Sequence, residues 1–325
     1  MIVLFEPERP AGFDSGGYRY QQAVMAPLAA AGCGRLVAVA PTQLTAALHA
    51  WRAREPQMVP VVDGLFAASA PLPNGVLALL HMVPAVAAWS AAPLPVVATA
   101  ASTVAHECVR ARALATDVVT PGLDACFAPA PAAPRRPGPL RIVCIGTFGP
   151  GKGQLALAQA LAQSNVPCEL VLLGAGTDAP AAIASLPRTQ HLVMHARGVV
   201  PPAAVAAALR DSDLCVSWSR SESFGMAVAE AAACGVPVLA FATGAIAEHV
   251  QHGANGWLLP PMADDAAMSA QLHALLRQPE RLTAARAVAA AHRSSLPPWS
   301  VVAERFRVAC LRLAAALPSA HGGPG

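Results

Sequence analysis

The chain is short of charge. Asp, Glu, Lys and Arg make up 13% of its 325 residues, roughly half of what a soluble globular domain carries. Lysine occurs once, at position 152, and the other basic residues are arginine. Aromatic residues are scarce too, at 5%. A net charge of +3 with no basic run excludes the broad cationic face of a nucleic-acid binder. The eight cysteines never form a C-x2-C pair. That removes paired-cysteine zinc and redox motifs and leaves single thiols, which read as reduced core residues of a cytoplasmic protein. Long apolar spans are missing as well. The longest, 76–105, is broken by His81, Pro84, Pro93 and Pro95, so no transmembrane segment is expected. MIVLFEPERP has neither the basic region nor the apolar length of a signal peptide. The location expected is cytoplasmic, or peripheral at a membrane surface.

What the sequence holds in quantity is apolar residue, 55% of the total, and proline, 31 in all. The length suits two domains, each with its own core. Short apolar runs alternate with alanine-rich helical stretches. Strands are expected near 1–5, 36–40, 58–62, 76–80, 95–99 and 117–120, then at 141–145, 169–173, 191–194 and 214–218. Such alternation builds an α/β fold with parallel sheets. APAAPRRPGP, at 130–139, is proline-rich and stiff, so the hinge between domains is expected there. The closing PSAHGGPG is expected to fray.

The densest chemical signal is DSDLCVSWSRSESFGMAVAEAAACGVPV, 211–238. Leu214 to Trp218 reads as a buried parallel strand, 219–223 as a polar turn, and 225–233 as a helix closed by Gly235 and Pro237. A strand feeding a helix in this way aims first-turn N–H groups, near Phe224, Gly225 and Met226, at an anion or a sugar hydroxyl above the strand ends. Glu222 precedes the helix, and Glu230 is the only charge within it. If both were helical, eight residues at about 1.5 Å each would separate them by roughly 12 Å. Paired glycosidase carboxylates sit roughly 5 to 9.5 Å apart, so this pair is expected to hold two ends of one long ligand. Gly16 and Gly17 lie between the first strand and a helix over 18–31, a phosphate-facing turn. His81 directly follows VLALL, at the carboxyl end of a strand, where open α/β sheets bind ligands. GTFGPGKG, 146–153, follows a strand but lacks P-loop spacing. Asp211 and Asp213 form a D-x-D, yet they precede their strand, away from the ligand end. His249 and His252 are spaced for one helix face and lack a third ligand nearby. No metal site is expected.

The E-S-F-G turn, the second glutamate eight positions on, A-A-x-G-V-P-V, T-G-A-I-A-E and N-G-W-L-L together resemble the signature of the retaining glycosyltransferases of family 4 (group 1). The resemblance covers most of the chain from 139 onward and, more loosely, the first half. It implies the GT-B fold: two Rossmann-like domains with parallel sheets facing a central cleft. An N-terminal acceptor domain would span 1–138, a C-terminal nucleotide-sugar donor domain 139–296, and a closing helix, 297–317, would cross back. VVTPGLDACFAP resembles the family turn that ends the first domain, and the segment ending in Gly174 and Gly176 resembles the one near the nucleotide base. The implied activity moves a sugar, with retention, from a nucleoside diphosphate sugar to an unidentified acceptor, a lipid or a glycan, with no cofactor and no metal. On the matching positions, Glu222 and the N–H groups of Phe224, Gly225 and Met226 would hold the transferred sugar, and Glu230 the ribose. Lys152 and the Gly16-Gly17 loop would hold the diphosphate, and His81 a sugar hydroxyl. Tyr18 and Arg19 fall where acceptor contacts are expected. One departure is Thr147, where an arginine is usual beside the lysine; Arg220, next to Glu222 in sequence, is the expected substitute. The alternatives are a sugar-nucleotide epimerase on the same fold and a non-catalytic sugar-nucleotide binder.

Overall fold

The computed structural model describes residues 1–9, 15–86, 88–128, 138–291 and 296–317. The expected hinge therefore lies outside the described residues except at 138–139, as does the whole of the tail. Among the described residues, twelve strands form two separate six-stranded sheets. Neighbouring strands are parallel in both, as the alternating pattern requires.

The first unit contains β1 (Ile2–Pro7), α1 (Gly16–Ala30), β2 (Gly34–Val39), α2 (Leu44–Arg54), β3 (Val59–Asp63), β4 (Leu77–Leu80), β5 (Leu94–Ala98), α3 (Ala101–Ala105), α4 (Glu107–Arg110) and β6 (Ala113–Val118). Its strand order is β2-β1-β3-β4-β5-β6, so the order reverses between β1 and β3. The central strands VPVVD, LALL and LPVVA are buried along their whole length, as parallel strands covered on both faces must be. β6 lies at 113–118 rather than 117–120. Its ALATDV alternates half-buried and exposed residues because it pairs only with β5 and forms the sheet edge.

The second unit contains β7 (Leu140–Ile145), α5 (Gln154–Gln163), β8 (Cys168–Leu173), α6 (Pro180–Ala184), β9 (Leu192–Ala196), α7 (Pro202–Asp211), β10 (Leu214–Ser217), α8 (Met226–Ala233), β11 (Val238–Phe241), α9 (Ile246–His249), β12 (Gly256–Leu259), α10 (Asp265–Leu276) and α11 (Pro279–Ala291). The order β12-β11-β10-β7-β8-β9 is that of a dinucleotide-binding sheet, reversing between β7 and β10. Leu123 and Phe127 pack into this unit's core, so the chain passes from the first unit to the second at Gly122. α9 ends at His249, which leaves His252 off the helix and undoes the shared face expected for the two histidines.

The last helix, α12 (Trp299–Ala314), belongs to the first unit. Val302, Ala303, Phe306, Ala309, Cys310 and Leu313 recur on one face, and that face is buried among Ile2, Leu4, Tyr20 and Val97. Phe306 is wholly buried; such a side chain is worth about 3–5 kcal/mol against alanine.

Candidate functional site

In the second unit the reversal of strand order falls between β7 and β10, and ligands of doubly wound sheets sit above the strand ends at that point. The loop after β7 is held from below by Gln154, a buried first residue of α5. Its Nε2 donates to the carbonyls of Thr147 at 3.0 Å and Gly146 at 3.4 Å, and its Oε1 accepts from Gly149 N at 3.4 Å. The same loop leads into a short 3-10 turn ending at Lys152. From there Nζ reaches Glu222 Oε1 at 2.5 Å, across 70 residues of sequence. The two side chains are 38% and 19% exposed, and a pair this open to solvent adds at most about 1 kcal/mol to stability. Folding alone does not account for it.

The turn after β10 is stitched to the first loop. Arg220 N donates to Gly151 O at 3.4 Å, and the Ser219 hydroxyl lies 3.0 Å from Ser221 O and 3.3 Å from Gly151 O, to either of which it can donate. α8 then starts at Met226, with Gly225 as its N-cap at φ 79° and no side chain capping it. A Cβ at Gly225 would stand 2.9 Å from Ile246 Cγ1, so both conformation and space require glycine. Phe224 is buried, its carbonyl accepting from His249 Nε2 at 3.0 Å, with the two rings 4.7 Å apart. Burial lowers the pKa of His249, which keeps the ring neutral. The first turn of α8 thus presents backbone N–H groups beside Glu222, while Glu230, one turn deeper, is wholly buried.

Arg220 turns elsewhere. Its guanidinium pairs with Asp265, at the start of α10, donates to Ala263 O, and lies 3.9 Å over the Phe241 ring. Asp265 also accepts from Trp218 Nε1 at 2.8 Å, and these partners hold its carboxyl below the usual range. The expected replacement for the missing arginine is therefore committed to α10. Asp211 and Asp213 bind Arg141, through Nη1 at 3.0 Å and the backbone N at 2.9 Å, at the opposite end of the sheet from Lys152.

The first unit has its own polar cluster at the same end of its sheet. Gly16 and Gly17 open α1, and His81 follows β4. Three residues missed from sequence join them. Gln21, on α1, donates to Asp63 Oδ2 at the end of β3 and stands 3.0 Å from His81 Nε2. Glu6, on β1, pairs with Arg9 at 3.2 Å. Burial dominates here. It pushes Asp63 up to about 6 against the hydrogen bonds from Leu65 and Gln21, lowers His81 to about 4, and raises Glu6 against the pull of Arg9. Tyr18 is buried, with its hydroxyl donating to Pro7 O at 3.3 Å and Arg9 stacked on its ring. A readable signal existed for two of the missed residues: each is the lone acid ending an apolar run, IVLFE and VPVVD.

Two parallel six-stranded sheets, each wrapped by helices, define the GT-B class. Solved structures agree at 18% identity or less, which speaks to the fold. Sucrose-phosphate synthase from Thermosynechococcus elongatus superposes with a TM-score of 0.75 at 18% identity, covering 97% of this chain and 99% of that one. HepE of Anabaena in complex with UDP-glucose gives 0.67 at 16%, covering 98% and 100%. Residues 139–278 match the family model of Glycosyl transferases group 1. Among curated relatives, D-inositol 3-phosphate glycosyltransferase of Segniliparus rotundus is 30% identical over 203 residues. That alignment takes in 58% of this chain and 45% of the relative, so less than half of the relative's length is matched. Among the described residues no helix is long and apolar enough to cross a membrane.

Proposed function

We propose that the chain is a retaining glycosyltransferase which takes its sugar from a nucleoside diphosphate sugar. The observation that carries this reading is the Lys152–Glu222 pair at the strand reversal of the second sheet, beside the uncapped start of α8. An ammonium and a helix N-terminus together suit phosphate oxygens. Lys152 has three N–H donors and can keep Glu222 while it takes a phosphate. The family match over 139–278 supports the same reading, as does the UDP-glucose held by HepE.

Glu222 and the N–H groups of Phe224, Gly225 and Met226 then hold the transferred sugar, and Glu230 the ribose hydroxyls. Lys152 takes the diphosphate. His81 meets a sugar hydroxyl near the leaving oxygen. Arg220 would have to give up Asp265 to serve the donor, so the diphosphate charge rests on Lys152 and the helix start. No side chain in this set stands out as a nucleophile, and departure on the same face as attack, assisted by the leaving phosphate, is the course that fits retention.

The test is a thermal-shift screen of sugar nucleotides followed by product analysis with an acceptor panel. Free nucleoside diphosphate and an α-anomeric product from an α-linked donor are expected. Glu222→Gln is expected to lower kcat, whereas Glu230→Gln mainly raises the donor KM. A donor isomerised without transfer, or no sugar nucleotide that raises Tm, would overturn the assignment.

A further inference from the structure

His81 is the third member of a chain of side chains that begins at Asp63. Gln21, wholly buried, turns its amide nitrogen towards both neighbours, donating to Asp63 Oδ2 and lying 3.0 Å from His81 Nε2. An amide nitrogen only donates, so His81 Nε2 must accept, and the single proton of a neutral imidazole is then on Nδ1. The direction of the amide is set by Asp63. Its Oδ1 is taken by Leu65 N at 2.8 Å, and an ionised Oδ2 can only accept; a reversed Gln21 would set oxygen against oxygen. The ring itself is fixed between the edge of Tyr20, centroids 5.3 Å apart, and Gly17, where an added Cβ would stand 3.0 Å from His81 Cδ2. Burial, which lowers His81 to about 4, keeps the imidazole neutral near pH 7. The other charged groups of the cluster are Glu6 on β1 and Arg9, and these two pair with each other. His81 Nδ1 has no hydrogen-bond partner among the described residues.

We infer that Asp63 and Gln21 are positioning residues that lock His81 in the Nδ1–H tautomer, so that His81 meets its substrate as a hydrogen-bond donor through Nδ1. Such a group recognises an oxygen lone pair, as on a sugar hydroxyl or a leaving phosphate oxygen, and it cannot remove the acceptor's proton through that atom. The assignment rests on the reading of His81 as a sugar contact, but the tautomer itself does not.

The two are separable by experiment. The full chain, labelled with ¹⁵N-histidine, is examined by long-range ¹H–¹⁵N correlation at neutral pH, with His81 identified by its loss in His81→Gln. A protonated Nδ1 and a bare Nε2 are expected. In Asp63→Asn the new amide N–H makes Gln21 turn its oxygen inward, so His81 is expected to switch to Nε2–H, with kcat falling at least about tenfold and the donor KM moving less than about twofold. Should Asp63→Asn not fold, Gln21→Glu, whose carboxyl shares one proton with Asp63 and turns only a lone pair to His81, must give the same switch at Nε2. A wild-type Nε2–H tautomer, or a tautomer indifferent to both substitutions, overturns the proposal. The expected spectra in a protein that binds no sugar nucleotide would uphold the relay and sink only the transferase reading.

Discussion

Both sheets are six-stranded and parallel with one reversal of strand order, yet the two units treat their polar residues in opposite ways. In the second unit Lys152 and Glu222 keep full charges, close together and partly in solvent. In the first, Asp63 and Gln21 are buried and His81 partly so, and burial moves Asp63 up to about 6 and His81 down to about 4. Strand reversal places chemistry at the same end of either sheet, but depth decides its kind. A half-exposed ion pair can exchange one anion for another at little cost, whereas a buried chain of hydrogen bonds fixes where a proton resides.

The largest expected effect tests the buried side of that contrast. Asp63 has a folded-state pKa above its ordinary 3.8, so the folded protein binds more protons than the unfolded one between about pH 4 and 6, and its contribution to stability falls as pH rises through that window. His81 is lowered from 6.5, so its contribution rises with pH over about 4 to 6.5. Chemical denaturation from pH 4 to 7 should therefore show wild type losing ground to Asp63→Asn, and gaining on His81→Gln, by up to about 3 kcal/mol each. Parallel curves for both variants would mean that the cluster does not redistribute protons. On the charged side, Lys152→Arg should cost at least about tenfold in kcat/KM, or about 1.4 kcal/mol. A planar guanidinium cannot take the place of a compact ammonium between Glu222 and a phosphate. Its unfolding free energy should move by less than about 1 kcal/mol, and unchanged kinetics would return this residue to the surface. The smallest effect is none at all: with Asp211 and Asp213 bound to Arg141, EDTA is expected to leave turnover unchanged. Activity lost to EDTA and restored only by Mg²⁺ or Mn²⁺ would reverse this.

Legibility in the sequence follows the same divide. The strands and the turn from Glu222 to Met226 could be read because their signals are local: an apolar run, a polar turn, an alanine-rich helix. β6 was misplaced because an edge strand of small residues, ALATDV, has no apolar run to mark it. The Asp63–Gln21–His81 chain was invisible for another reason. Its members lie 42 and 60 residues apart, and only tertiary pairing makes them partners of one another. Arg220 shows the converse failure: nearness in sequence to Glu222 implied a shared ligand, but a carboxylate 45 residues on and an aromatic face claimed the guanidinium first.

That a single lysine serves the whole chain has a consequence for handling the molecule. A protease specific for lysine finds one peptide bond to cut, Lys152–Gly153, where the short turn hands over to α5. Native cleavage there requires the turn to lift away from Glu222 and thread a catalytic groove, so the rate at which one band becomes two measures local opening at this point and nowhere else. Most proteins need an introduced probe to give so localised a signal, and here the composition supplies it.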